Sequence, residues 1–145
     1  MSVNFHVPPG TYVVMDAATH TYLNVLNSVS PNGAIVCSVG NHAGNDIWNI
    51  MPTETHQLTI QSYGTGDFLS VNAGKVVTST TIYPWSLIEN KDFPYAFSMV
   101  DARTGQALRV GSYLNGAPVT LVDYNEEDPN QAWFFVGKEP TSDIP

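Results

Sequence analysis

The chain is poor in cysteine, in basic residues and in long apolar runs. Cys37 is its only cysteine, so no disulfide can form within the chain and a cysteine-rich zinc centre is excluded. A reducing compartment fits that usage best. Five Lys and Arg stand against 13 Asp and Glu, a net charge of -8, which opposes phosphate backbones and anionic lipid surfaces. Nucleic acid is therefore not an expected partner. No segment approaches the roughly 20 apolar residues needed to span a bilayer, so no membrane insertion is expected. The opening "MSVNFHVPPGTY" carries neither a basic start nor an apolar run of leader length, and the expectation is a cytoplasmic protein without a signal peptide. Sustained helical periodicity is missing as well. At 145 residues the expectation is one domain, large enough to bury about two thirds of its unfolded surface without staples.

What the chain has instead is a succession of short runs rich in Val, Ile, Tyr, Phe and Thr, parted by Gly, Asn, Pro and Asp, the pattern of an all-β barrel or sandwich. Thr11 to Met15, Gln57 to Gln61 and Tyr95 to Val100 alternate in side-chain character as half-buried strands should. Each is followed by a turn and a second strand: "DAATHTYLNV", "SYGTGDFLSV" and "DARTGQALRV". These are three copies of one unit. Aligned on Leu23, Leu69 and Leu108, the first and third units place a tryptophan 25 positions on, at Trp48 and Trp133, and the middle unit places Trp85 after 16. Both outer units also carry an Asn-Gly-Ala turn, in "PNGAIV" and "LNGAPV". The repeats are read as approximately 8–56, 57–94 and 95–138, with a polar tail over 139–145. Units this short cannot bury a core singly and must share one, and closure into a barrel removes every exposed strand edge.

The tryptophans, each set between a polar turn and an apolar strand, belong in the core. The residues before them are different in kind: Asn45 with Asp46, and Asn130 with Gln131, place paired donors and acceptors in loops, the groups that fix sugar hydroxyls. Asp16 and Asp101 fall in turns and are read as turn formers.

A threefold repeat ending in Gln-x-Trp resembles the β-trefoils of the ricin-B family of lectins, and "PPGTYVV" is similar to the start of their short mushroom members. The likeness runs from about Pro8 to Lys138. It implies a β-trefoil with three repeats in pseudo-threefold symmetry, the middle one shortened, and a defensive, fungal, carbohydrate-binding protein whose partners are glycans or glycoproteins. A homodimer would add avidity. In that family the Asn of the motif commonly contacts the sugar and its Gln supports the site, which nominates Asn45 and Asn130. The family also places an aspartate on the second strand of the repeat. The matching positions here hold Asn24, Ser70 and Arg109, none of them an acid, so a galactose or N-acetylgalactosamine preference and a remodelled specificity both stand open. Asn24 keeps an amide oxygen, which makes the first repeat the best surviving copy, with Ser38, Asn41 and His42 placed to wall a shallow polar pocket beside it together with Asn45 and Asp46. The second choice comprises Asp123, Tyr124, Asn130 and Gln131 of the third repeat. It also includes Tyr83 and Trp85 of the middle repeat, which resemble the Tyr-x-Trp of mushroom trefoils that read fucosylated N-acetylglucosamine, although Val71 stands where that site has a further tryptophan.

Catalysis is not expected. The chain has no Gly-x-Ser-x-Gly elbow, no His-Glu-x-x-His and no phosphate-cradling Gly loop. His6, His20, His42 and His56 are scattered, so neither a cofactor nor an essential metal is expected. A second class of function stays open beside the lectin: a non-catalytic trefoil that binds another protein, as a protease inhibitor or the companion subunit of an enzyme. Altered aspartate positions favour it, and the retained Asn-containing motifs favour the lectin.

Overall fold

A computed structural model describes residues 7–40, 44–53 and 56–138. Twelve strands fall into three sets of four: β1 Gly10–Asp16, β2 Tyr22–Val25, β3 Ile35–Ser38 and β4 Trp48–Pro52; β5 Leu58–Ser62, β6 Phe68–Asn72, β7 Lys75–Ser79 and β8 Trp85–Glu89; β9 Ala96–Asp101, β10 Gln106–Val110, β11 Ala117–Asp123 and β12 Trp133–Gly137. Among the described residues there is no α-helix, and none is long and apolar enough to cross a membrane.

The first and fourth strands of each set form a closed antiparallel ring. β1 pairs β4, β4 pairs β5, β5 pairs β8, β8 pairs β9, β9 pairs β12, and β12 returns to β1 in the register Tyr12 to Gly137 through Asp16 to Trp133. No ring strand is left with a bare edge. The second and third strands of each set make the hairpins β2–β3, β6–β7 and β10–β11. These gather at one end of the ring, where Ala117 and Pro118 pair with Cys37 and Val36, and Ala34 bridges to Val77.

The repeated Leu and Trp explain their own spacing. Leu23, Leu69 and Leu108 and the three tryptophans are fully buried in one cluster with Val14, Ile50, Ile60 and Met99. Each indole N–H needs an acceptor once buried, and each finds the carbonyl of its own repeat's leucine: Trp48 to Leu23 at 3.0 Å, Trp85 to Leu69 at 2.9 Å and Trp133 to Leu108 at 3.2 Å. The middle repeat is shorter between those two points, yet the bond is kept.

Asp16 and Asp101 form the turns expected of them. Asp16 Oδ1 accepts from the amides of Ala18 and Thr19 at 2.9 and 3.1 Å, and Asp101 Oδ1 accepts from the Arg103 amide at 2.9 Å. The two Asn-Gly-Ala turns use their glycines for different reasons: a Cβ on Gly33 would collide with the Val29 carbonyl oxygen, whereas Gly116 has open space but a φ of +89°. One strand departs from the alternation expected of it. Every residue of β9 is buried, because both faces are covered: Met99 lies in the main core and Phe97, on the same face, meets Phe135 edge-on at 6.1 Å, while on the opposite face Ala96 packs with Ala17, Ala132, Phe93 and Phe134.

Asp16 makes stability depend on pH. It is fully buried, Oδ2 has no hydrogen-bond partner, and burial pushes its carboxyl up to about 7, against about 3.9 in the unfolded chain. Between these values the folded state binds the extra proton, so this group's contribution is fully present below about pH 4 and is lost as pH rises through 7. The melting temperature is expected to be higher at about pH 5 than at about pH 8. Asp16→Asn, followed by the same thermal scans, should shrink the difference.

Candidate functional site

The first repeat brings three of its nominated residues into a hydrogen-bonded chain. Side chains alternate across β2, so Leu23 and Val25 enter the core and Tyr22 and Asn24 lie on the opposite face, Tyr22 half-buried and Asn24 buried beneath its neighbours. Register sets Asn24 opposite Val36 and Tyr22 opposite Ser38 on β3. The 3-10 turn Gly44–Asp46 then carries Asn45 over the hairpin. Asn45 Nδ2 donates to Asn24 Oδ1 at 2.9 Å, and Asn24 Nδ2 donates to Ser38 Oγ at 2.7 Å. Each amide group spends one valence on its neighbour. Left for a ligand are the Ser38 hydroxyl proton, Asn45 Oδ1 and an Asn45 N–H, an uncharged set of both donors and acceptors on one face.

Asp46 stands elsewhere. It is fully buried and turned toward the segment before it, where a Cβ on Gly40 would lie 3.2 Å from Asp46 Oδ2 and 2.6 Å from the Tyr22 ring. It does not face solvent. Asn41 and His42 lie outside the described residues. Tyr22 and Gly40, which sequence reading passed over, border the same face. Tyr22 was legible as the outward neighbour of Asn24 two positions on.

In the third repeat the same positions are wired differently. Arg109 Nε donates to Asp128 Oδ2 at 2.8 Å, and Asn130 Nδ2 donates to the Val110 carbonyl at 2.7 Å. Burial alone would raise the Asp128 carboxyl, but the hydrogen bond and charge of Arg109 and the Asn130 amide hold it below the ordinary carboxylate value. Gln131 is buried: its Oε1 accepts from the Asn125 amide at 2.9 Å and its Nε2 donates to the Asp123 carbonyl at 3.1 Å. It therefore props the loop, and like Asp46 it is buried. Asp123 enters this network through its main chain. Tyr124 is half-buried, its hydroxyl raised above the usual value by burial and by Glu126.

The middle repeat does not present its nominated pair. Trp85 is fully buried, and Tyr83 is buried with its hydroxyl 3.0 Å from both oxygens of Asp101 and Arg103 lying 4.5 Å over its ring. Burial, followed by the Asp101 carboxylate, pushes the Tyr83 hydroxyl up to about 12. With one ring in the core and the other roofed by Arg103, neither offers a face on which a sugar can stack. Ser70, at the position of Asn24, is buried too.

Several solved structures superpose on this arrangement over almost its whole length. The Rhizoctonia solani agglutinin matches with a TM-score of 0.83 and 23% identity over 94% of this chain and 100% of that one. A designed protein of threefold symmetry, ThreeFoil, matches at 0.83 with 20% identity over 89% and 99%. The fold is a β-trefoil. A Macrolepiota procera ricin B-like lectin in complex with lactose matches at 0.81, with 19% identity over 92% and 100%. No protein-family model matches the chain, and no curated protein matches it in sequence.

Among the described residues no group of His, Cys, Asp and Glu is arranged to hold a metal ion. Cys37 is buried, its thiol pushed up to about 12 by burial.

Proposed function

We propose that the protein is a lectin that binds glycans non-catalytically, with its principal site in the first repeat. The observation that carries this reading is the Asn45–Asn24–Ser38 chain, with bonds of 2.9 and 2.7 Å. It pre-orients an acceptor, a hydroxyl donor and an amide donor on one outward face, the combination that a pair of vicinal hydroxyls requires. Its neutrality replaces the carboxylate of the family pattern, which leaves a galactose-type preference and a remodelled one as the alternatives. Support also comes from the lactose-bound lectin with the same fold. A cytoplasmic, defensive role belongs to the same reading and rests on the lone buried Cys37 and the likeness to mushroom lectins.

A glycan array probed with the purified protein tests it. Binding to a restricted set of neutral terminal or branched sugars is expected, enhanced when the protein is presented multivalently. A silent array with a multivalent preparation would sink the lectin reading.

One observation favours a second reading, a trefoil that binds another protein. Tyr113 and Leu114 are exposed at the tip of the β10–β11 connection, beside exposed Val39, whose amide donates to Asn115 Oδ1 at 2.9 Å. Folding makes this apolar tip by joining residues of the first and third repeats.

A further inference from the structure

We propose that the third repeat binds the singly charged anionic group, a carboxylate or a sulfate ester, of an acidic saccharide through the outer nitrogens of Arg109. The saccharide part rests on the lectin reading above; the anion part rests on Arg109 alone. Of the three equivalent positions on the second strands, Asn24 and Ser70 are short, neutral and buried. Arg109 is long, charged and 35% exposed at its side chain. It replaces an acceptor with a group that only donates.

Its attachment leaves the useful part spare. The bond to Asp128 uses Nε alone, at 2.8 Å, and among the described residues neither η nitrogen has a hydrogen-bond partner. Gly111 makes room for them: a Cβ there would come within 2.8 Å of Nη1. Asp128 thus does for Arg109 what Asn45 does for Asn24, tying the strand to the loop, but the tie ends one atom short of the guanidinium's outer edge. That edge is a planar fork of N–H donors, matched to the two oxygens of a carboxylate or sulfate. Thr120 lies directly across the hairpin from Arg109, and Asn130, with its Nδ2 engaged, keeps Oδ1 for a sugar hydroxyl.

The charge balance narrows the ligand. Asp128 already offsets part of the guanidinium charge, and Asp123, Glu126 and Glu127 stand on the same loop, with Glu126 drawn to Lys91 at 3.6 Å. A doubly charged phosphate monoester would meet about twice the repulsion from these carboxylates that a singly charged group meets, so the singly charged group is the one the fork can hold. The net charge of -8 gives no long-range attraction, so selection is made at contact, inside the roughly 8 Å over which salt screens charges.

Amide-resolved NMR titration of the whole protein tests this, with the methyl glycoside of glucuronic acid, galactose 6-sulfate, their neutral parents, and acetate and sulfate ions as separate arms. The expected result is that the acidic sugars shift Arg109, Gly111 and Asn130 and saturate at concentrations at least tenfold lower than their neutral parents. Arg109→Gln should weaken that response at least tenfold. Gly111→Ala, which keeps the arginine and displaces its fork, should do the same. Acidic sugars that bind no better than neutral ones, or that shift residues elsewhere, would overturn the proposal. Acetate or sulfate ions binding as tightly as the acidic sugars would overturn its saccharide part. The lectin reading of the first repeat is judged separately in the same spectra, by whether neutral sugars shift Asn24, Ser38 and Asn45.

Discussion

Trp48→Ala is expected to lower the unfolding free energy by about 3–5 kcal/mol, and Trp85→Ala and Trp133→Ala by as much. Each indole is fully buried, and each truncation leaves a cavity and takes the indole donor from a buried carbonyl, at Leu23, Leu69 or Leu108. The equality is the sharper part of the expectation. It follows from three hydrogen bonds of 2.9 to 3.2 Å made by three unlike stretches of sequence, so the shortened repeat should be bound into the core no less firmly than the complete ones. A Phe at any of the three keeps most of the apolar area and loses the N–H, which should cost about 1–3 kcal/mol. Urea unfolding followed by circular dichroism checks all six variants. A Trp85→Ala loss below about 1 kcal/mol would show that the middle repeat does not share the common core.

Asn24→Ala should weaken glycan binding about 30- to 100-fold, or roughly 2–3 kcal/mol. The change removes the central member of the polar chain, leaving Asn45 Nδ2 without its acceptor and Ser38 Oγ without its donor, so both remaining ligand groups lose their orientation together. The fold should survive, because Leu23 and Val25 on the same strand still fill the core. Asn24→Asp separates orientation from charge. It keeps the acceptor for Asn45 and supplies the stronger, charge-assisted bond to a ligand hydroxyl, in exchange for the Ser38 proton, which turns to the carboxylate. Affinity should recover to at least that of the unaltered protein. Calorimetric titration with the best array hit decides both, and undiminished binding by Asn24→Ala would remove the site from the first repeat.

The architecture was legible because its signals are local and come three times. The Leu-to-Trp spacing, the turn at Asp16 and Asp101 and the Asn-Gly-Ala pairs each lie within one repeat, and a pattern that recurs in one chain is hard to mistake for chance. The candidate site was legible in part for the same reason: Asn24, Ser38 and Asn45 occupy repeat positions, and the hairpin register brings them together. What escaped reading is pairing across repeats. Tyr83 looked like a free aromatic in a contracted loop, yet its hydroxyl is held by Asp101, 18 positions away and in the next repeat. Asp46 looked like an equal of Asn45, but the 3-10 turn leaves Asn45 half-buried and sends Asp46 beneath the loop, the supporting place that the family resemblance had implied for Gln131. Arg109 read as a damaged site because only geometry reveals how little of the guanidinium Asp128 uses.

The closing pair of the ring has a temporal meaning. β12 fills the gap between β9 and β1, and beyond it the Lys138 amide donates to the Thr11 carbonyl at 2.8 Å. While the chain is being synthesised, β1 emerges first and must wait with one edge bare until more than a hundred further residues have left the ribosome. Such long-separation pairing slows folding and exposes strand edges meanwhile. With 13 acidic residues against five basic ones, other copies of the chain carry like charge, so the acidity of the chain opposes edge-to-edge association while that edge waits.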